Sequence, residues 1–131
     1  IEKKSIVFTA VPASGKPAIT QLAVGPDGNI WGLAGGVIFA FDPETRKVIH
    51  AKDEFPGVSS RMNDGCLITS KDGVIYGAAA NNLFKIDPGT KELSVIATGA
   101  RMVAQDHQGR LYVVGDPITE LYQLRLPSAD K

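Results

Sequence analysis

Four polar residues have the types and positions to hold a ligand. Arg61, Asn63 and Asp64 lie in one short segment, and Arg101 flanks a later apolar run. A guanidinium suits carboxylate or sugar oxygens, and a carboxylate beside an amide can accept hydroxyl hydrogens or hold a cation. We therefore take these four as candidate ligand-binding residues. No nucleophile–base set accompanies them, so the sequence designates no catalytic residue.

The other reactive side chains do not form a site in the sequence. Cys66 is the only cysteine, which excludes an internal disulfide, and we expect it to be a small buried apolar residue. His50 and His107 fall at different positions of the pattern described below, so we expect both on the surface. The sequence contains no phosphate-binding glycine loop, Cys/His cluster or Gly-x-Ser-x-Gly elbow. The metal site remains unassigned.

Charge and hydropathy limit the partners. The 131 residues carry 14 basic and 14 acidic side chains, and the longest basic cluster is Lys3-Lys4. Nucleic acid or an anionic membrane surface would require a basic stripe, so neither is expected. No apolar run has the ~20 residues of a membrane span. We expect a soluble protein of unassigned compartment. Because the chain begins at Ile1, export with removal of a leader remains open.

An internal repeat predicts the fold. The turn glycines Gly28, Gly73 and Gly109 lie 45 and 36 residues apart, and each is followed three residues later by an aromatic residue. These aromatic residues are Trp31, Tyr76 and Tyr112, which we expect in the core between repeats. A second turn, Asp-Pro at 42–43 and 87–88, recurs at the same 45-residue interval. Two turn signatures at one period indicate repeated four-stranded meanders.

The pattern predicts an all-β chain, one domain over 1–131, with three four-stranded blades. The blades span 18–55, 61–98 and 100–127, and the turn between the first two strands of each reads as a tight hairpin. No fourth strand follows Pro127 in the third blade. An orphan strand over 5–11, however, resembles the fourth strands of the other two, and we expect it to serve as an outer strand.

Three blades do not close a ring, because single-ring assemblies of this kind use about 4–8 blades. Two solutions remain open. Two copies can join head to tail as a homodimer with six blades, in which residues 5–11 of one copy complete the third blade of the other. Alternatively, the chain is the C-terminal part of a larger ring whose other blades lie in a missing part of the same protein.

Two resemblances refine this prediction. The pattern Gly-Pro-Asp-Gly-Asn-Ile-Trp-Gly at 25–32, with Phe-Asp-Pro-Glu-Thr at 41–45, resembles the repeats of streptogramin-lyase-like and NHL-like β-propellers. The segment Arg61-Met-Asn63-Asp64-Gly65 resembles a short stretch of the SMP-30/gluconolactonase family, which lines the substrate end of a six-bladed propeller that binds a divalent metal. That second resemblance implies that Arg61, Asn63 and Asp64 contact a sugar lactone, with a divalent cation as cofactor.

Two functions follow for the chain. The first is a non-catalytic binding or assembly module, completed by dimerisation or by further blades. The alternative is a metal-dependent lyase or lactonase-type enzyme acting on a sugar-like substrate at the mouth of the central channel of the completed ring. A third and fourth polar group converging on that mouth would favour the enzyme, and the sequence offers Arg101 and Lys16 for this role.

Overall fold

A computed structural model of the chain describes residues 3–13, 15, 17–56, 66–115 and 119–124. Apart from a 3-10 helix at Lys3–Ser5, the regular structure of these residues consists of eleven β-strands in three antiparallel sheets. The described residues contain no α-helix, and none of their helices is long and apolar enough to cross a membrane. The all-β prediction with three meanders is confirmed.

Each sheet is one blade, with its strands paired in chain order. Blade 1 comprises β1 (Ile19–Val24), β2 (Ile30–Ala34), β3 (Val37–Asp42) and β4 (Lys47–Asp53). Blade 2 comprises β5 (Cys66–Thr69), β6 (Ile75–Ala79), β7 (Asn82–Ile86) and β8 (Leu93–Thr98). Blade 3 comprises β9 (Ala100–Gln105), β10 (Leu111–Gly115) and β11 (Leu121–Leu124).

The turns between the first two strands are the same in all three blades. Gly28, Gly73 and Gly109 have φ of 84°, 83° and 87°, and each donates its N–H to the carbonyl three residues earlier. A second bond closes each turn, as in Gly25 N–H to the Asn29 carbonyl at 2.9 Å. This is a type I turn followed by a left-handed glycine, and it is the tight hairpin that the sequence predicted. Each second strand begins two residues after its turn glycine, at Ile30, Ile75 and Leu111.

The Asp-Pro turns are also equivalent, as the 45-residue interval predicted. The carbonyl of Asp42 accepts the Arg46 N–H at 2.8 Å, and that of Asp87 accepts the Lys91 N–H at 2.7 Å. Each aspartate side chain accepts a further N–H two residues on, from Glu44 or Gly89. Arg46 and Lys91 adopt positive φ, 59° and 64°. The two turns therefore share one geometry.

Two apolar layers hold the blades together. The layer between blades 1 and 2 is built from large side chains, among them Trp31, Leu33, Phe55, Ile75 and Phe84. The layer between blades 2 and 3 is formed by smaller ones, with Tyr76 as its only aromatic among the buried residues of the described chain. Its other members are Ala78, Leu83, Ala100, Val103, Leu111 and Val113. Trp31 and Tyr76 thus lie in the core between blades, as expected.

The structure does not contain the strand predicted over 5–11. Lys3–Ser5 form the 3-10 helix, and the following residues cross the outward side of blade 1 without joining a sheet. Phe8 packs on Phe41, with ring centroids 5.7 Å apart, and Ala13 is buried against Ala34 and Phe39. An outer strand needs the open edge of a third strand. The edges of β3 and β7 are occupied by β4 and β8, and β11 lies beyond blade 2.

Candidate functional site

The inner strands β1, β5 and β9 lie side by side and run in the same direction. The Thr69 hydroxyl at the end of β5 donates to the Val24 carbonyl at the end of β1. Likewise, the Lys71 N–H, which follows β5, donates to Gln105 Oε1 at the end of β9, at 3.1 Å. The strands therefore define two ends. The start side holds their first residues, and the turn side holds the turns that follow them.

The predicted ligand residues precede or begin inner strands in the sequence, so the site is expected on the start side. Arg61, Asn63 and Asp64 lie outside the described residues, as does Lys16. Arg101 is half-buried as the second residue of β9, in contact with other groups. The site remains a prediction. Among the described residues, no three His, Cys, Asp or Glu side chains are grouped so that they could hold a metal ion.

Cys66, at the start of β5, ties blade 2 to blade 3. Its Sγ accepts the Val103 N–H at 3.2 Å and lies 3.6 Å from the Val103 carbonyl, to which the thiol donates. Burial raises the pKa of the Cys66 thiol, although hydrogen bonds from the Val103 and Ala78 backbone work in the opposite direction. A thiol kept protonated is a poor nucleophile, so its role here is packing and hydrogen bonding.

A polar cluster joins blades 2 and 3 on the turn side. Gln105 Nε2 donates to Ser70 Oγ at 2.9 Å and to the Gly109 carbonyl at 3.1 Å. Its Oε1 accepts the Lys71 N–H described above, and Lys71 Nζ donates to the His107 carbonyl. One half-buried amide thus fixes two neighbouring turns relative to each other.

Asp106 organises the turn of blade 3. Its carboxylate accepts hydrogen bonds from the backbone N–H of Gln108 and Arg110, from Arg110 Nε at 2.6 Å and from the Tyr112 hydroxyl. Desolvation would raise the pKa of Asp106, but these bonds outweigh it and lower the pKa to about 2. The side chain is therefore a fixed negative charge at neutral pH.

The cluster borders a groove of about 530 Å³. Its lining residues are Ile68, Thr69, Lys71, Ala104, Gln105, Asp106 and His107. An exposed ammonium, an imidazole and backbone groups can bind a small polar molecule there by hydrogen bonds. The sequence had not led us to expect a polar groove on the turn side. The signal was available, because Lys71 and His107 occupy the turn position that Pro26 has in blade 1.

His50 is not the surface residue that the sequence predicted. It lies on β4, half-buried, with its ring centroid 5.9 Å from that of Trp31. Its Nε2 atom is buried and finds no hydrogen-bond partner among the residues that the structure describes. Burial lowers the pKa of His50 from its ordinary value. Its ring serves as a cover for the Trp31 side chain.

No family model matches the sequence, and no curated protein matches it. Solved structures do. A catalytically inactive virginiamycin B lyase from Staphylococcus aureus, determined with quinupristin, superposes with a TM-score of 0.68 at 17% identity, over 98% of this chain and 48% of that one. The fold is that of a β-propeller. The chain spans about half the length of that lyase.

Other propeller structures are similar over less of the chain. The WD40 repeats of RRP9 give a TM-score of 0.58 at 20% identity, over 80% of this chain and 34% of that one. An extracellular domain assigned to a one-component system of B. thetaiotaomicron gives 0.59 at 18% identity, over 88% and 17%. The resemblance to streptogramin-lyase-like propellers is thus confirmed for the fold. None of these similarities concerns the SMP-30/gluconolactonase family, so that resemblance stays a prediction.

Proposed function

We propose that the chain is a non-catalytic β-propeller module for assembly and ligand binding. Its two free blade faces are completed by further blades of the same repeat, and the completed channel binds a small sugar-like molecule. One observation supports the assembly: the two end faces, which no other blade of the described chain covers and which we call free, are the repeat equivalents of faces that are buried inside the stack. Phe8 and Ala13 lie over part of the blade 1 face.

The free face of blade 3 is equivalent to the face that blade 1 turns toward blade 2 and to the face that blade 2 turns toward blade 3. Tyr112, Val114 and Leu121 are equivalent to positions that are buried in the other blades. Those buried residues are Trp31, Leu33 and Ile38 in blade 1, and Tyr76, Ala78 and Leu83 in blade 2. In blade 3, by contrast, Leu121 is 69% exposed, and Met102, on the other side of Val114, is also exposed.

The free face of blade 1 is equivalent to the face that blade 2 turns toward blade 1. Leu22, Ile30 and Phe41 are equivalent to buried residues that receive the preceding blade. Those residues are Leu67, Ile75 and Ile86 in blade 2. Leu22 is nevertheless 59% exposed. At both junctions inside the chain, a face equivalent to that of blade 3 packs on a face equivalent to that of blade 1. The two free faces are therefore complementary to each other.

A second copy provides both missing faces. Blade 3 of each copy then packs on blade 1 of the other, which gives a closed six-bladed ring with twofold symmetry and no free faces. Burial of apolar patches of this kind is the usual source of stability in permanent interfaces. The blades of a longer chain would satisfy the same faces.

Solution mass tests the second-copy version. We expect the 131-residue chain to have the mass of a dimer by sedimentation equilibrium, and Leu121→Glu and Leu22→Glu each to give monomers. Val95→Glu is the matched control, because Val95 is similarly exposed at 52% but lies on the outer strand β8. A wild-type chain that remains monomeric at every concentration contradicts this version.

Titration calorimetry tests the binding site. Sugar acids, lactones and divalent cations would be titrated into wild type, Asp64→Ala and Arg101→Met on the start side, and Lys71→Met on the turn side. The proposal places Arg61, Asn63, Asp64 and Arg101 at the ligand, so the first two variants should lose affinity and the third retain it. The reverse result moves the site to the turn-side groove. Cation-dependent turnover of a lactone would instead establish the enzymatic alternative.

A further inference from the structure

The turn-side groove between blades 2 and 3 is large enough for a small organic molecule. Its volume of about 530 Å³ lies within the ~300–1,000 Å³ of pockets that hold such ligands. All of its lining residues belong to the inner strands β5 and β9 or to the turns that follow them. The groove is therefore formed within one chain, at the end opposite the start side.

The turn end of the groove is positively charged. Lys71 is exposed, and its ammonium donates to the backbone carbonyl of His107. Because that acceptor is neutral, the bond positions the ammonium without cancelling its charge. The acidic residue of the lining, Asp106, is matched by the Arg110 guanidinium, whose Nε lies 2.6 Å from its carboxylate. The potential at this end therefore favours an anion.

Hydrogen bonds hold this end of the groove in a fixed shape. The Lys71 N–H donates to Gln105 Oε1 at 3.1 Å. Gln105 Nε2 in turn donates to Ser70 Oγ at 2.9 Å and to the Gly109 carbonyl at 3.1 Å. Both turns are thus positioned before a ligand arrives. A preorganised site loses little conformational freedom on binding, and this raises its affinity.

The other end of the groove is apolar. Ile68 lies three residues before Lys71, up to about 10 Å away in an extended chain. Its side chain packs against the apolar layer between blades 2 and 3. Ala104, at the equivalent position of β9, also lines the groove. A ligand that fills the groove therefore needs a negatively charged head and an apolar body.

The repeat itself does not require these residues. Blade 1 has Pro26 at the position of Lys71 and His107, and it has Val24 at the position of Gln105. Its turn nevertheless has the same geometry as the other two. The ammonium and the amide are therefore not explained by the folding of the turn.

We propose that the turn-side groove binds a carboxylic acid with a short, unbranched apolar body. The carboxylate accepts hydrogen bonds from the Lys71 ammonium, which has three N–H groups and gives one of them to His107. The body runs back along β5 and β9 toward Ile68 and Ala104. This inference rests neither on the proposed dimer nor on the start-side ligand, because the groove lies within one chain.

Octanoate is the probe for this site. We expect it to shift the backbone amide NMR signals of Lys71, Gln105 and His107. Octanol lacks the charge and should bind about tenfold more weakly, because a hydrogen bond to a charged group is lost. Gluconate lacks the apolar body, and butanoate has a shorter one. Both should bind more weakly than octanoate, since each CH₂ that leaves an apolar wall weakens binding by up to about fourfold.

Two outcomes of these titrations would overturn the inference. Equal binding of octanol and octanoate would show that the groove does not recognise a carboxylate. Octanoate that shifts no signal in either turn would show that the groove is not its site.

Variants of Lys71 provide an independent measurement by titration calorimetry. Lys71→Met removes the ammonium and should weaken octanoate binding about tenfold, whereas Lys71→Arg should retain most of it. Octanol should bind Lys71→Met as it binds wild type, which would show that the groove is intact. Lys47→Met is the matched control, because Lys47 is an exposed lysine on the outer strand β4. Full octanoate affinity in Lys71→Met would contradict the proposal.

Leu121→Glu separates this site from assembly. Because the groove lies within one chain, the variant should bind octanoate with the affinity of wild type. Loss of octanoate binding in Leu121→Glu would contradict a site formed by one chain. A wild type that is monomeric and binds octanoate would overturn the proposed dimer and support the groove.

Discussion

The two layers between blades are built from the same repeat but hold together differently. Between blades 1 and 2 the contact is dominated by large rings, with Phe55 and Phe84 at 5.5 Å and Trp31 fully buried. The Thr69 hydroxyl also donates across this layer, to the Val24 carbonyl. Between blades 2 and 3 the buried side chains are smaller, and Cys66, Lys71 and Gln105 all bond across.

The difference shows how a repeat can vary its junctions. Apolar burial gives stability roughly in proportion to the area removed from water, so large rings need no further support. The layer of smaller side chains between blades 2 and 3 gains less stability from apolar burial. Its hydrogen bonds instead fix the position of one blade relative to the other. The second junction therefore fixes the relative placement of two turns and leaves a polar groove beside them.

Removing a large, fully buried ring of the first layer should have the largest effect. Phe84→Ala leaves a cavity under Phe55 and should lower the free energy of unfolding by ~3–5 kcal/mol. Leu111→Ala in the second layer should cost less. Urea denaturation of both variants measures this, with the exposed Val95→Ala as the control expected within ~0.5 kcal/mol of wild type. A larger loss for Leu111→Ala would reverse our ranking of the layers.

A glycine beneath that ring should be nearly as sensitive. A Cβ at Gly77 would lie 2.4 Å from Phe84 Cζ and 2.7 Å from the Cys66 carbonyl oxygen. Gly77→Ala should therefore destabilise by ~1–3 kcal/mol through overpacking. In a double-mutant cycle, Phe84→Leu should recover part of this loss, because it removes the nearest atoms. Strict additivity of the two changes would show that the backbone oxygen, not the ring, is the obstacle.

The polar connection of the second layer should contribute less. Gln105→Leu removes three hydrogen bonds from a half-buried position and should lower stability by ~1–2 kcal/mol. Gln108→Leu, three residues along in the same turn but exposed, is the matched control. Should the two variants unfold at the same urea concentration, the cluster would have no structural role.

The smallest expected effect is the pH dependence contributed by His50. Desolvation lowers its pKa, the charges of Lys91 and Lys52 act in the same direction, and Glu54 opposes them. The folded chain thus favours neutral His50. Its contribution to stability is fully present above the unfolded pKa of about 6.5 and is lost as pH falls through the lower folded value. Urea midpoints at pH 7.5 and 5.5 should differ less in His50→Gln than in wild type.

The sequence predicted the repeated parts of the fold well. Gly28, Gly73 and Gly109 take the same left-handed conformation, and the two Asp-Pro turns share one geometry, because a turn is dictated by residues within it. The burial of Trp31 and Tyr76 also followed from their shared position. A feature that recurs in several repeats is predicted by each of them separately, so the agreement between repeats supports the prediction.

What the sequence missed or left undecided concerns residues whose environment depends on another element. The strand predicted over 5–11 has suitable side chains, but strand formation requires a free edge, and the described strands offer none within reach, so its place in an assembly stays a prediction. His50 was expected at the surface because nothing in its own strand indicates the Trp31 ring beneath it. The polar cluster on the turn side was missed because Gln105 and Lys71 are far apart in the sequence. The ligand site at Arg61, Asn63 and Asp64 remains a prediction.

The aromatic residue of each second strand is bonded to its own turn in a way that matters for consensus design. Trp31 Nε1 donates to Asp27 at 3.2 Å and Tyr76 to Asp72 at 3.5 Å, but Tyr112 donates to Asp106, because Gln108 stands where the other turns have aspartate. The carboxylate has moved two residues along the loop, and the bond is retained. A consensus sequence averaged over the blades would keep the aspartate that directly precedes the turn glycine and would omit the alternative at the position of Asp106. An engineered blade should preserve the carboxylate–aromatic pair and leave open which loop residue provides it.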